Sequence, residues 1–129
     1  MSTIYQRLGM RTFINARGTI TTLGGSIMPA EVVAAMVEAS RSFVHLNELH
    51  QKAGDRIAEL TGADGAFISA GAASGLLLAG AAVLTGTDTE AIRNIPDVGD
   101  RPNEFAISLV DSHYYVHQGF RVCGGELVK

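Results

Sequence analysis

Cysteine is nearly absent: Cys123 is the only one in 129 residues. A lone thiol excludes an internal disulfide framework and fits a reducing compartment. No apolar leader run opens the chain, since Met1-Ser2-Thr3-Ile4-Tyr5-Gln6-Arg7 is too polar for a secretory signal. The expected location is the cytoplasm. A basic surplus is missing too: ten Lys and Arg stand against thirteen Asp and Glu, a net charge of -3. That balance argues against a nucleic-acid partner held by overall charge. Charge of either sign is missing from Gly65 to Thr87, a run long enough to span a bilayer. The run is mostly Ala, Gly and Ser, and no Lys or Arg flanks it closely, so a buried soluble helix is expected and no membrane partner. Hydrophobic residues make up 47% of this short chain, which allows one domain at most.

What is present centres on Ala66 to Leu78. Ala66-Phe67-Ile68-Ser69 has the length of a buried strand; Ala70-Gly71-Ala72-Ala73-Ser74 is a loop almost without side chains; an apolar helix then runs to about Leu84. A strand feeding a helix through such a loop places bare backbone N–H groups at a helix N-terminus, where the dipole favours an anion. The loop is neither a Walker A nor a dinucleotide fingerprint, because Gly71-x-x-x-Gly75 has the wrong spacing and ending. A tight turn of small residues for close packing explains it equally well at this point.

Taken in order, a short helix is expected over Ile4 to Leu8, ended by Gly9, followed by a Thr- and Gly-rich extended arm over 13–26. Residues 1–28 thus form a helix and arm, and 29–129 the start of a larger domain. Pro29 opens a helix at its first position, with Glu31 in the first turn and apolar Val32, Val33, Met36, Val37, Phe43 and Val44 on a helical period. A second helix uses Leu46, Leu49, Ala53, Ile57 and Leu60, with a Glu48–Lys52 pair, and stops at Thr61-Gly62. After the central stretch, Thr85 to Asp88 is a stop and a new N-cap. The segment 91–103 is expected to be mostly loop, 105–110 a strand, the residues up to Val122 a short helix, and 126–128 a third strand. Strand, helix, strand, helix, strand implies an α/β fold with a parallel sheet.

Asp111, His113 and His117 have loose metal-ligand spacing but too few members for a zinc site. His113 instead leaves the carboxyl end of a strand, the edge where open α/β sheets bind ligands and from which the 69–73 loop also departs. An imidazole there could stack on a planar ring, or simply bond within its turn. His45 and His50 are five apart and read as surface or packing residues, and Cys123 as a buried structural thiol. Arg17, the one charge in the polar arm, could grip a carboxylate or phosphate, or be solvated.

Several motifs in order point further: Asn15-Ala16-Arg17-Gly18-Thr19, Leu23-Gly24-Gly25-Ser26, Met28-Pro29-Ala30-Glu31-Val32, the run His50 to Ala63, Ser69 to Gly75, Ile95-Pro96-Asp97 and Arg101-Pro102-Asn103-Glu104. The set resembles the N-terminal part of bacterial pyridoxal-phosphate enzymes related to selenocysteine synthase (L-seryl-tRNA selenium transferase) and D-glucosaminate-6-phosphate ammonia-lyase. The resemblance implies a truncated fold-type I, aspartate-aminotransferase-like large domain, normally part of a chain about three times longer that forms dimers or larger oligomers. It implies that Ser69, Ala70, Gly71, Ala72 and Ala73 hold the phosphate of pyridoxal 5'-phosphate and that His113 lies against its ring. Asn15, Arg17, Gly18 and Thr19 would meet a small amino-containing substrate. The family's His-Arg-Asn run reads His113-Tyr114-Tyr115 here.

The resemblance places the family's Schiff-base lysine beyond residue 129; the only lysines here, Lys52 on an amphipathic helix and the terminal Lys129, do not follow the cofactor loop in the family's position. No catalytic residue and no metal ligand is therefore assigned within the chain. The expected activity is an α,β-eliminating or β-replacing lyase or transferase, for which this chain supplies the cofactor cup and is inactive alone. The alternatives are a non-catalytic remnant that acts as an oligomerisation or interaction module with a longer paralogue, and a small metal-binding α/β domain using Asp111, His113 and His117.

Overall fold

The computed structural model describes residues 2–108, 110 and 113–128, and these divide into two units, Met1–Val44 and His45–Lys129. In the first unit Thr3 opens α1 (Ile4–Arg7) with a capping box: its hydroxyl accepts from the Gln6 amide, and the Gln6 side chain accepts from the Thr3 amide. The arm that follows bends without forming a strand and contains one 3-10 turn, Thr21–Leu23. α2 spans Ala30–Ala39 with Glu31 in its first turn. Pro29 is the N-cap, one position before the one expected, and its carbonyl accepts from Val32 and Val33. The helix also stops before Phe43 and Val44. Ser40 turns its hydroxyl onto the Val37 carbonyl at 2.8 Å, and i→i+3 bonds from Arg41 and Ser42 tighten and end the last turn.

The second unit holds α3 (Leu46–Thr61), α4 (Ala72–Thr85), α5 (Thr89–Asn94), β1 (Glu104–Ala106), α6 (Tyr114–Val122) and β2 (Glu126–Val128). β1 and β2 pair in parallel, Phe105 opposite Leu127, so the α6 crossover joins them as a β-α-β unit. The fold class is α/β as expected, with a two-stranded rather than a three-stranded sheet among the described residues. Ala66–Ser69 is irregular instead of a strand, because no described strand pairs with it. β1 is shorter than the expected 105–110, of which Leu109 lies outside the described residues. The expected 91–103 loop begins only after α5 ends at Asn94.

Glycines bring α4 and α6 together. A Cβ on Gly119 would stand 2.9 Å from Leu76 Cβ, and one on Gly80 would stand 2.9 Å from Cys123 Sγ and 3.1 Å from Phe120 Cδ1. Cys123 is buried at 1% exposure, its thiol donating to the Phe120 carbonyl at 3.0 Å. Phe120 also stacks on Phe105 of β1 at 4.8 Å, which ties the helix pair to the sheet.

α3 reverses the usual arrangement. Its buried residues are Gly54 and Ala58, while Leu46, Leu49, Ile57 and Leu60 are all exposed. Val32, Val33, Met36 and Val37 of α2 are exposed as well. The apolar periodicity that marked α2 and α3 in the sequence therefore marks surface that is bare here. No helix among the described residues is long and apolar enough to cross a membrane.

Asp88 caps α5 as the sequence indicated, accepting from the Glu90 and Ala91 amides at 2.9 and 3.2 Å. Its second oxygen pairs with Arg101, and that bond, followed by the two amides, holds the carboxyl below the usual carboxylate range. A depressed folded pKa contributes stability that is complete above the ordinary carboxylate value and is lost as pH falls through the depressed one. Both partners are largely exposed, so the effect is small. Asp88→Asn keeps the cap and removes the charge. It is expected to flatten the acid limb of a denaturation-midpoint profile as pH falls through and below the ordinary carboxylate range, and an unaltered limb would show that the pair is idle.

Candidate functional site

Gly71 is the hinge of the site. Its φ of 152° and ψ of 174° lie in a region open essentially only to glycine, and it caps α4 with no side chain. The first backbone bond of α4 is Gly75 N–H to Gly71 O at 2.9 Å, so the amides of Ala72, Ala73 and Ser74 precede the helical ladder. Ser69 and Ser74 donate their hydroxyls to the same Gly71 carbonyl at 3.0 and 2.8 Å. The loop is thus pinned from both sides while its amides stay clear. No acidic residue occupies the first turn of α4 and no side chain caps it, so the dipole there is not neutralised from within.

Two further features fix this loop, and sequence reading missed both. His50 on α3 reaches across to Ile68, Nε2 lying 2.7 Å from the carbonyl oxygen, and its ring packs on Phe67 at 4.2 Å. Gly54, one helical turn on, lies so close to the Ala66 carbonyl that a Cβ could not fit. Only the absence of a side chain at Gly54 and the four-residue spacing from His50 hint at this in the sequence.

His113 is the N-cap of α6, exposed, with its ring edge-on to Tyr115 at 5.7 Å. Its position relative to the loop follows from the helix packing. Leu76 of α4 meets Gly119 of α6, and Gly80, four residues on, meets Cys123, also four residues on. The two helices therefore run in the same direction and their N-termini share one end of the pair. Ser69, Ala70, Gly71, Ala72 and Ala73 lie at that end together with His113, and both helix dipoles present their positive ends there.

Asn15, Arg17, Gly18 and Thr19 belong to the first unit. Asn15 is fully used in building its turn: its Oδ1 accepts from the Arg17 amide at 2.9 Å and its Nδ2 donates to the Gly18 carbonyl at 2.7 Å. Gly18 has φ 100°, which this tight bend requires. Of the arm residues, Arg17 is the one whose charged side chain makes no hydrogen bond or ion pair among the described residues. Asp111 lies outside the described residues, and those described contain no group of three His, Cys, Asp or Glu able to hold a metal.

No protein-family model matches the chain. It is similar to 5'-C-glycyluridine monooxygenase-decarboxylase from Streptomyces sp, 40% identical over 111 residues, which is 86% of this chain and 28% of that protein. It is similar to D-glucosaminate-6-phosphate ammonia lyase from Salmonella typhimurium, 34% identical over 129 residues, 98% of this chain and 35% of that enzyme. A solved structure of D-glucosaminate-6-phosphate ammonia-lyase superposes with a TM-score of 0.92 at 33% identity, covering 99% of this chain and 36% of that one. The chain spans about a third of the length of the relatives it matches. The ordered motifs, the identity and the superposition agree: the chain is a homologue of D-glucosaminate-6-phosphate ammonia lyase over about one third of that enzyme's length.

Proposed function

We propose that these residues form the cofactor-phosphate cup of a pyridoxal-phosphate-dependent lyase or transferase of fold type I, the aspartate-aminotransferase-like architecture. The substrate would be an amino acid or amino sugar, undergoing α,β-elimination or β-replacement. The observation that carries this reading is the Gly71-capped N-terminus of α4, its first amides clear and its dipole unopposed. Homology supports it, since both relatives are named for reactions of amine-bearing compounds.

The residues present fit the group. The amides of Ala72, Ala73 and Ser74 would bind the phosphate oxygens, with Ser69 and Ser74 holding the loop in shape through Gly71 O. His113, at the same end of the α4–α6 pair, would pack on the ring. Pyridoxal phosphate, when bound, supplies the electron sink that labilises bonds at an amine-bearing carbon. Arg17, presented by the Asn15 turn, would take a substrate carboxylate or phosphate through its planar fork. Lys52 does not serve the cup, because it lies on the exposed side of α3 paired with Glu48 at 3.6 Å. In line with the family resemblance, the lysine that would hold the cofactor covalently is assigned to residues outside these 129, and the chain alone to an inactive state; Lys129 lies outside the described residues.

An absorbance titration tests the proposal. Pyridoxal phosphate is expected to bind saturably, to be displaced by inorganic phosphate, and to leave no adduct on Lys52 after borohydride reduction. Binding of pyridoxal without its phosphate at equal strength would contradict it.

A second reading, an interaction module that pairs with a longer paralogue or with another copy, is favoured by the exposed Leu46, Leu49, Ile57 and Leu60 of α3. Stable co-purification with a longer paralogue supports it; a monomer that stays soluble at high concentration counts against it.

A further inference from the structure

We infer that His50 is a positioning residue for the phosphate cup. This rests on the reading of Ser69–Ser74 as that cup. The segment that delivers Ser69 to the loop, Ala66–Ile68, has no strand partner among the described residues. α3 reaches two of its carbonyls. The Ala66 carbonyl lies against the bare Cα of Gly54, and the Ile68 carbonyl is bonded by His50 at 2.7 Å.

A carbonyl oxygen only accepts, so the proton of this bond is on Nε2. The Phe67 ring, 4.2 Å from the imidazole centroid, fixes the plane in which Nε2 points. Ile68 O is one residue from Ser69, whose hydroxyl bonds Gly71 O and whose Oγ would stand 3.1 Å from a Cβ on Gly75. The sequence of supports therefore runs from His50 to Ile68, to Ser69, to the Gly71 carbonyl, and so to the start of α4. His50 touches neither phosphate nor substrate in this scheme. It sets where the first amides of α4 stand.

The role requires an N–H donor at the reach of Nε2 and nothing else of the imidazole. Glutamine carries its amide N–H at about that reach, and asparagine falls short at about the reach of Nδ1. In the 129-residue chain, His50→Leu and His50→Asn are expected to weaken pyridoxal phosphate binding about five- to tenfold, the worth of one ordinary hydrogen bond. His50→Gln is expected to restore it to within about twofold of the unsubstituted chain. A second readout needs no cofactor: exchange of the Gly75 amide, which bonds Gly71 O at 2.9 Å, should quicken in His50→Leu and His50→Asn and return in His50→Gln. The amides of α4 beyond Gly75 and those of α6 should keep their protection throughout.

Equal rescue by asparagine and glutamine, or affinity that merely follows global stability across the three variants, would overturn the inference. So would Gly75 exchange that His50→Leu leaves unchanged. An unsubstituted chain that binds no pyridoxal phosphate, yet shows the glutamine-specific exchange pattern, would refute the cup reading while leaving His50 as the residue that orders the loop.

Discussion

Gly71→Asp is expected to weaken pyridoxal phosphate binding by about 100-fold or more, equivalent to roughly 2.7 kcal/mol. Three effects act in the same direction. A side chain at φ 152°, ψ 174° is strained by about 1–3 kcal/mol, and the loop relieves that strain by moving. The new carboxylate stands at the N-cap, where it accepts from the same first-turn amides that would receive the phosphate. Its negative charge then opposes an anion at the positive end of α4. An N-cap aspartate also stabilises a helix, so the fold loses less than the site does. Gly71→Ala carries the strain alone and should lose much less affinity. The check is a titration of both variants beside a thermal melt of each. If Gly71→Asp binds like the unsubstituted chain, the phosphate lies elsewhere.

The largest expected loss of stability comes from Gly119→Val. The Cβ alone would sit 2.9 Å from Leu76 Cβ and 3.4 Å from the Leu77 backbone nitrogen, and neither can yield without moving α4. Overpacking a tight crossing costs typically 1–3 kcal/mol, and a β-branched residue against backbone belongs at the upper end, about 3 kcal/mol. That is large for a unit whose described buried apolar residues are Ala58, Leu84, Ala91 and Cys123. Urea denaturation should show the midpoint of the second unit falling sharply or its cooperative transition vanishing. An unshifted midpoint would mean that α4 and α6 are not packed through Gly119.

Local signals made much of this fold legible from sequence. The Asp88 cap, the Gly62 stop, the Glu48–Lys52 pair and the α6–β2 ending all follow from residues within a turn of one another. The small-residue loop at Ser69–Ala73 was legible for the same reason, because glycine and alanine beside a helix start declare bare amides. Non-local contacts hid what was misread. Ala66–Ser69 has a strand's composition, yet strand formation needs a partner that no described residue provides. The leucines of α3 have the period of a buried face, but periodicity reports that a face is apolar and is silent on what covers it. His50 read as a surface or packing residue, and it does pack on Phe67, but its acceptor 18 positions away left its bond to the loop illegible. The glycines at 54, 80 and 119 show their purpose only once the opposing backbone is in place.

The central claim is that the amides opening α4 seat a phosphate. It is tested most directly by an amide chemical-shift map of the 129-residue chain titrated with pyridoxal phosphate and, separately, with inorganic phosphate. The account predicts that both ligands shift the Ala72, Ala73 and Ser74 amides most. It also predicts that the phosphate-free vitamer leaves them in place. Shifts that gather on arginine-bearing surfaces such as Arg17 or Arg56, with those three amides unmoved, would contradict it.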